Sequence, residues 1–127
     1  MRYLTPQEIL VIHARIIDAT VGTDGLRDLG LLISACERPK TALFGKEQFP
    51  DVFSKAATYL ESIARHHVFV DGNKRTALVA AARFLETNGF RVMCSNKQLE
   101  DLVLTVVTKH PEVETIAQTL RGYTKPA

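Results

Sequence analysis

The sequence predicts an all-α protein: one compact bundle of about six helices around a buried central helix, with a short flap that is either a loop or a hairpin. Three observations predict it. Apolar residues recur at three- and four-residue steps over most of the chain, the periodicity of helices that bury one face. Helix-opening residues stand ahead of most of these stretches. One stretch, Thr76 to Leu85 (TALVAAARFL), is apolar or small on nearly every side, as in a helix enclosed by others. With 127 residues and 46% hydrophobic content there is material for a single core, so residues 1–127 are read as one domain.

Each element has its own signal. Thr5, Pro6 and Glu8 read as an N-cap, a first-turn proline and a reciprocal capping residue, and open a helix from about Pro6 to about Ala19. The glycines and aspartates of residues 20–28 form a loop whose last residue, Asp28, caps a short helix that Pro39 stops. Periodicity lapses at Gly45, which defines a flap over about residues 40–49. A third helix begins near Pro50 and Asp51 and carries Phe53, Ala56, Ala57, Leu60, Ile63, Ala64 and His67 on one stripe, with His67 at its end. The apolar helix follows, stopped by Asn88-Gly89, and Phe90 to Met93 forms a short extended piece. Ser95 with Gln98 opens a fifth helix and His110-Pro111-Glu112 a sixth, after which residues 122–127 are expected to fray.

Bulk properties exclude several classes. A net charge of +2 with 24% charged residues gives no general footprint for nucleic acid, so no direct nucleic-acid partner is expected. No apolar run reaches the roughly 20 residues of a membrane span, the N-terminal MRYLTPQE has no signal core, and Cys36 and Cys94 lack metal-type spacing. A cytoplasmic chain with free thiols and no membrane contact is expected.

The chemistry concentrates in the motif loop, residues 67–75. Gly72 and Asn73 lead directly into a helix, leaving backbone N–H groups unpaired, and Lys74 and Arg75 add two positive charges at that end. Cations at a helix N-terminus oppose the helix dipole, which an anion bound there would offset. Asp71 lies in the same turn and reads both as a cap for that helix and as an oxygen ligand for magnesium beside a polyphosphate. His67, four residues earlier, has a side chain able to take a proton from a hydroxyl near neutral pH. A histidine ending an apolar stripe is more often packed than catalytic; the residues that follow it shift His67 towards chemistry. His66 is assigned to solvent or the preceding helix end, and His13 and His110 to structural or surface roles.

The stretch His67-Val68-Phe69-Val70-Asp71-Gly72-Asn73-Lys74-Arg75 resembles the Fic/Doc signature H-x-F-x-D/N-x-N-K/G-R, with the Lys74-Arg75-Thr76-Ala77 ending similar to the death-on-curing (Doc) toxin branch. Gly25-Leu26-Arg27-Asp28, Glu37-Arg38-Pro39, Phe49-Pro50-Asp51 and Asn88-Gly89 extend the likeness over residues 5 to about 90. The resemblance implies a Fic/Doc-type helical fold with His67 as general base, Asp71 as magnesium ligand, Gly72, Asn73, Lys74 and Arg75 on the phosphates of ATP or another nucleoside triphosphate, and Phe69 anchoring the loop. AMP-transferring relatives read G-N-G-R-x-x-R; here Lys74 replaces the second glycine and Leu78 the second arginine. The Doc likeness therefore implies transfer of the terminal phosphate to a serine or threonine hydroxyl, with elongation factor Tu as substrate and translation arrest as the result. Gly72, shared with the AMP branch, keeps AMP transfer as the alternative. No S/T-x-x-x-E-G/N inhibitory pattern is found, so control by a cognate antitoxin acting in trans is expected. A transition-metal hydrolase on His66, His67 and Asp71 lacks further ligands, and a helical adaptor with a phosphate-binding loop is the non-catalytic reading.

Overall fold

Side-chain caps decide where most of the helices begin. The computed structural model describes residues 1–127 and contains α1 (Pro6–Thr20), α2 (Leu29–Glu37), α3 (Val52–Arg65), α4 (Asn73–Thr87), α5 (Asn96–Lys109) and α6 (Val113–Gly122). Thr5 with Glu8, Asp51 with Ser54 and Ser95 with Gln98 form reciprocal capping boxes at α1, α3 and α5, and Asp28 accepts the Leu31 N–H at α2. A 3-10 turn over Arg38–Lys40 leads into a two-stranded hairpin, β1 (Ala42–Leu43) and β2 (Lys46–Glu47), so the flap is a hairpin. Its two turn residues, Phe44 and Gly45, have φ of 52° and 77°, the left-handed pair that matches the twist of a tight hairpin.

The most enclosed helix is α3 rather than α4. Every residue from Val52 to Ala64 is buried, and α3 packs most closely on α4 and α6. Helix α4 buries Ala77, Ala80, Ala81, Phe84 and Leu85 on one face and leaves Lys74, Arg75 and Val79 exposed. Its small residues let α3 approach closely; they do not signal burial all round. Enclosing α3 also buries polar groups, and each has a partner: Lys55 Nζ donates to Pro39 O at 3.0 Å and to the flap carboxylate of Glu47 at 2.9 Å, and Glu61 pairs with Arg38 at 2.6 Å. The Tyr59 hydroxyl accepts from Leu4 N at 3.1 Å.

The tail is a correction to the sequence reading. Residues 124–126 do not fray but form β4 (Thr124–Pro126), which pairs antiparallel with β3 (Phe90–Val92), extended by Met93 N to Tyr123 O at 2.6 Å and Ala127 N to Gly89 O at 2.9 Å. Strand order here comes from a partner distant in sequence, which local composition does not reveal. No helix is long and apolar enough to cross a membrane.

Candidate active site

Helix α3 ends two residues earlier than the apolar stripe suggests. Helix α3 ends at Arg65, and His67 stands outside it in a left-handed turn with φ of 51°, exposed to solvent. The reading that places His67 on the buried stripe is therefore corrected. Val68 and Phe69, at 0% and 1% exposure, fill the core below the helix end instead. Left-handed residues terminate many helices, but usually as glycine or asparagine, and a histidine there costs about 1–2 kcal/mol.

Backbone and side-chain bonds from distant segments hold this turn. Residues 25–28 run beside the motif: Val70 N donates to Gly25 O at 2.9 Å, and Arg27 N and Asp28 N donate to Val68 O at 2.9 and 3.1 Å. Arg27 adds its guanidinium, with Nε donating to His67 O at 2.6 Å and Nη2 to His66 O at 3.1 Å. From the other side, the Asn73 amide accepts from Phe69 N and donates to Phe69 O, both at 2.9 Å. Beneath lies His13, 3% exposed, stacked on Phe69 with ring centroids 3.7 Å apart, its Nε2–H donating to Asp71 O at 2.8 Å. Sequence reasoning did not give His13, Arg27 or Thr23 a part in this site; the Gly25-Leu26-Arg27-Asp28 likeness was the one signal pointing there.

Beyond the turn, the loop runs into an uncapped helix start. Gly72 is the N-cap of α4, with φ of 77° and no side-chain cap, so Asp71 does not cap the helix. A Cβ on Gly72 would lie 3.3 Å from the Ile17 side chain and 3.8 Å from the His13 ring, which ties the close approach to glycine. The N–H groups of Asn73, Lys74 and Arg75 have no acceptor. They border an open cleft of about 820 Å³ walled by the end of α1, the start of α4 and one face of α5. Such a volume suits a nucleotide-sized ligand. Lys74 and Arg75 are exposed and form no ion pair. The Asn73 side chain brackets the Phe69 backbone, which leaves its backbone N–H and the second hydrogen of its amide for a ligand.

Asp71 lines the same cleft. Its carboxylate accepts from Thr23 N at 3.1 Å and Gly72 N at 2.8 Å, and these bonds, Thr23 first, hold it below the usual carboxylate range. It is thus ionised and oriented, with lone pairs remaining for a cation. No three His, Cys, Asp or Glu groups come together, so a cation here would draw its remaining ligands from phosphate and water, as magnesium does and zinc in closed protein sites does not. His67 is not among the residues that wall the cleft, and its imidazole makes no hydrogen bond within the chain. A second groove of about 500 Å³ runs from Arg75 between α1 and α4, lined by apolar residues such as Ile12 and Val79 together with Glu8, Arg15 and Arg83.

The helical bundle opens an uncapped, doubly cationic helix start onto a cleft beside an oriented carboxylate. Comparison with known proteins says which bundle it is: the Fic/DOC family model matches residues 3–85, and the chain belongs to that family, within its death-on-curing branch. It is 40% identical over 104 residues to "Toxin Doc" of Mycolicibacterium smegmatis, covering 80% of each chain. It is 38% identical over 121 residues to "Protein kinase doc" of Escherichia phage P1, covering 95% of this chain and 94% of that one.

Proposed function

We propose that this protein is a Doc-like toxin that transfers the terminal phosphate of ATP or another nucleoside triphosphate to a serine or threonine hydroxyl of elongation factor Tu and so arrests translation. The observation that carries this reading is the start of α4. Lys74, with no carboxylate partner, stands where AMP-transferring relatives have a glycine, and the partly buried Leu78 stands where they have a second arginine. A cradle with an added point charge at the glycine position, and without the second arginine fork, favours a different phosphate as the one transferred. The relative named "Protein kinase doc" supports the same choice.

Phosphoryl transfer asks a protein mainly to position the partners and neutralise charge. The free N–H groups of residues 73–75, the Lys74 ammonium and the Arg75 guanidinium would grip phosphate oxygens, and Asp71 would hold magnesium, which supplies charge neutralisation when bound. His67 takes the proton of the attacking hydroxyl on a ring nitrogen. The new bond joins that oxygen to the terminal phosphorus, the bond to the bridging oxygen breaks, and the nucleoside diphosphate leaves. Gly72 is shared with AMP-transferring relatives and favours AMP transfer as the second reading. Control in trans by a cognate antitoxin fits the α1–α4 groove, whose apolar residues and Arg15, Arg75 and Arg83, against the single carboxylate of Glu8, suit an acidic amphipathic segment.

Intact-mass measurement of elongation factor Tu, incubated with the protein, magnesium and ATP, tests the reading. A gain of about 80 Da that is absent with His67→Ala is expected, the variant losing about 10²–10⁴ of the rate while staying folded. Addition of an adenylyl group would move the activity to the second reading. An unmodified substrate alongside harmless expression in a bacterial host would sink both.

A further inference from the structure

Arg27 lies outside the motif, yet three consecutive carbonyls at its start converge on this residue: its Nη2 reaches His66 O, its Nε reaches His67 O and its backbone N–H reaches Val68 O. Arg27 is exposed, so burial does not dictate this geometry, and it has no carboxylate partner to satisfy. The carbonyls it binds lie at the C-terminal end of α3, where the helix dipole is negative and a cation is favoured. They also flank the one strained residue of the turn, His67 at φ of 51°.

We infer that Arg27 is a positioning residue for transfer, holding His67 in the left-handed turn that sets the direction of its imidazole. The inference rests on the reading of His67 as the base. Relaxation of residue 67 to an ordinary right-handed or extended conformation would swing the side chain to a new direction, because φ fixes where Cβ points. The two bonds from one planar fork oppose that relaxation by fixing the carbonyls on both sides of the His67 N–H and Cα. A lysine could reach one carbonyl but could not fork across both. The backbone bonds of Gly25, Arg27 and Asp28 remain when the guanidinium is removed, so the segment should keep its place while residue 67 alone gains freedom.

The experiment compares Arg27→Ala and Arg27→Lys with the parent protein in two readouts. Transfer from ATP to elongation factor Tu should fall about a hundredfold in kcat for Arg27→Ala with KM for ATP little changed, the scale of a misplacement of about 1 Å. Arg27→Lys should recover only part of the loss, and guanidinium ion at sub-denaturing concentration should restore activity to Arg27→Ala and not to the parent. In the protein alone, NMR couplings that report φ of His67, with ¹⁵N relaxation of its amide, should show the turn lost in Arg27→Ala. An unchanged kcat, or a left-handed and rigid His67 in Arg27→Ala, would overturn the inference. If the parent itself transfers nothing, the base reading fails, and the NMR result then decides on its own whether Arg27 holds the turn.

Discussion

Helix α3 and the loop that follows it are adjacent in sequence and opposite in how they are held. From Val52 to Ala64 the helix is wholly buried, and its stability comes from apolar contact with α4 and α6 together with paired polar groups. From His66 to Arg75 the chain alternates between exposed residues and two core anchors, Val68 and Phe69, and its shape is set by hydrogen bonds from residues 25–28, His13 and Asn73. A buried helix tolerates loss of single bonds because close packing restricts alternatives. An exposed turn with a strained residue has no such insurance. The difference teaches that the site is rigid through directed bonding rather than through burial, and that stability and activity should separate along this line.

The largest separation is expected between Leu60→Ala and Asn73→Ala. Leu60 is fully buried on α3, and its truncation should cost about 2–5 kcal/mol, seen as a lower midpoint in denaturant, with activity per folded molecule preserved. Asn73→Ala removes two hydrogen bonds to the Phe69 backbone, each contributing about 1 kcal/mol, so the stability loss should be smaller. Its activity loss should exceed what the unfolded fraction explains, because Phe69 and His67 are no longer fixed. Equal loss of activity per folded molecule in both variants would break the contrast.

The same line separates what the sequence makes legible from what it does not. The helix starts at Thr5, Asp28, Asp51 and Ser95 are written locally, since a cap and its partner lie three residues apart. Residues 67–75 show their chemistry because uncapped N–H groups, cations and a carboxylate are adjacent in the chain. What holds them does not show: Arg27 binds carbonyls forty residues away, and His13 reaches Asp71 across fifty-eight. The end of α3 was misread for a related reason, since a stripe of apolar residues continues through Val68 and Phe69 after the helix itself has stopped, and a histidine rather than a glycine occupies the left-handed position. Strand β4 follows the same rule, being defined by β3 and not by its own residues.

The flap tests whether burial can also position an exposed element. Lys55 is 2% exposed, and of the two oxygens that accept from its ammonium one belongs to Glu47 on β2. If the hairpin swung away, that ammonium would keep a single acceptor in a dry site, so the flap is tied to the core electrostatically. Replacing Lys55 by Met fills the same space without charge and should change global stability by only about 1 kcal/mol in either direction. Limited proteolysis at the exposed Phe44-Gly45 tip should nonetheless become faster. Unchanged cleavage of the tip would show that the hairpin is held by its own two-residue strands and the 3-10 turn.

The smallest expected effect is on pH, where the two regions should fail at opposite ends. Burial of Cys36 against α3's side of the core pushes its thiol up to about 11, and burial likewise drives the Tyr59 phenol upward against the Leu4 hydrogen bond. The folded state therefore holds these protons longer than the unfolded chain does. Their contribution is complete below the unfolded thiol value of about 8.5 and declines as pH rises towards the folded one. Asp71 runs the other way: its folded value is depressed by the Thr23 and Gly72 amides, so its contribution is complete above the usual carboxylate range and is lost as pH falls through the depressed value. Helical circular dichroism should thus weaken first in alkali, and later in Cys36→Ala than in the parent. The Thr23 and Gly72 amide signals should shift together in acid while the helices stay intact. Helix loss in acid preceding those shifts would mean that the loop draws its rigidity from the core after all.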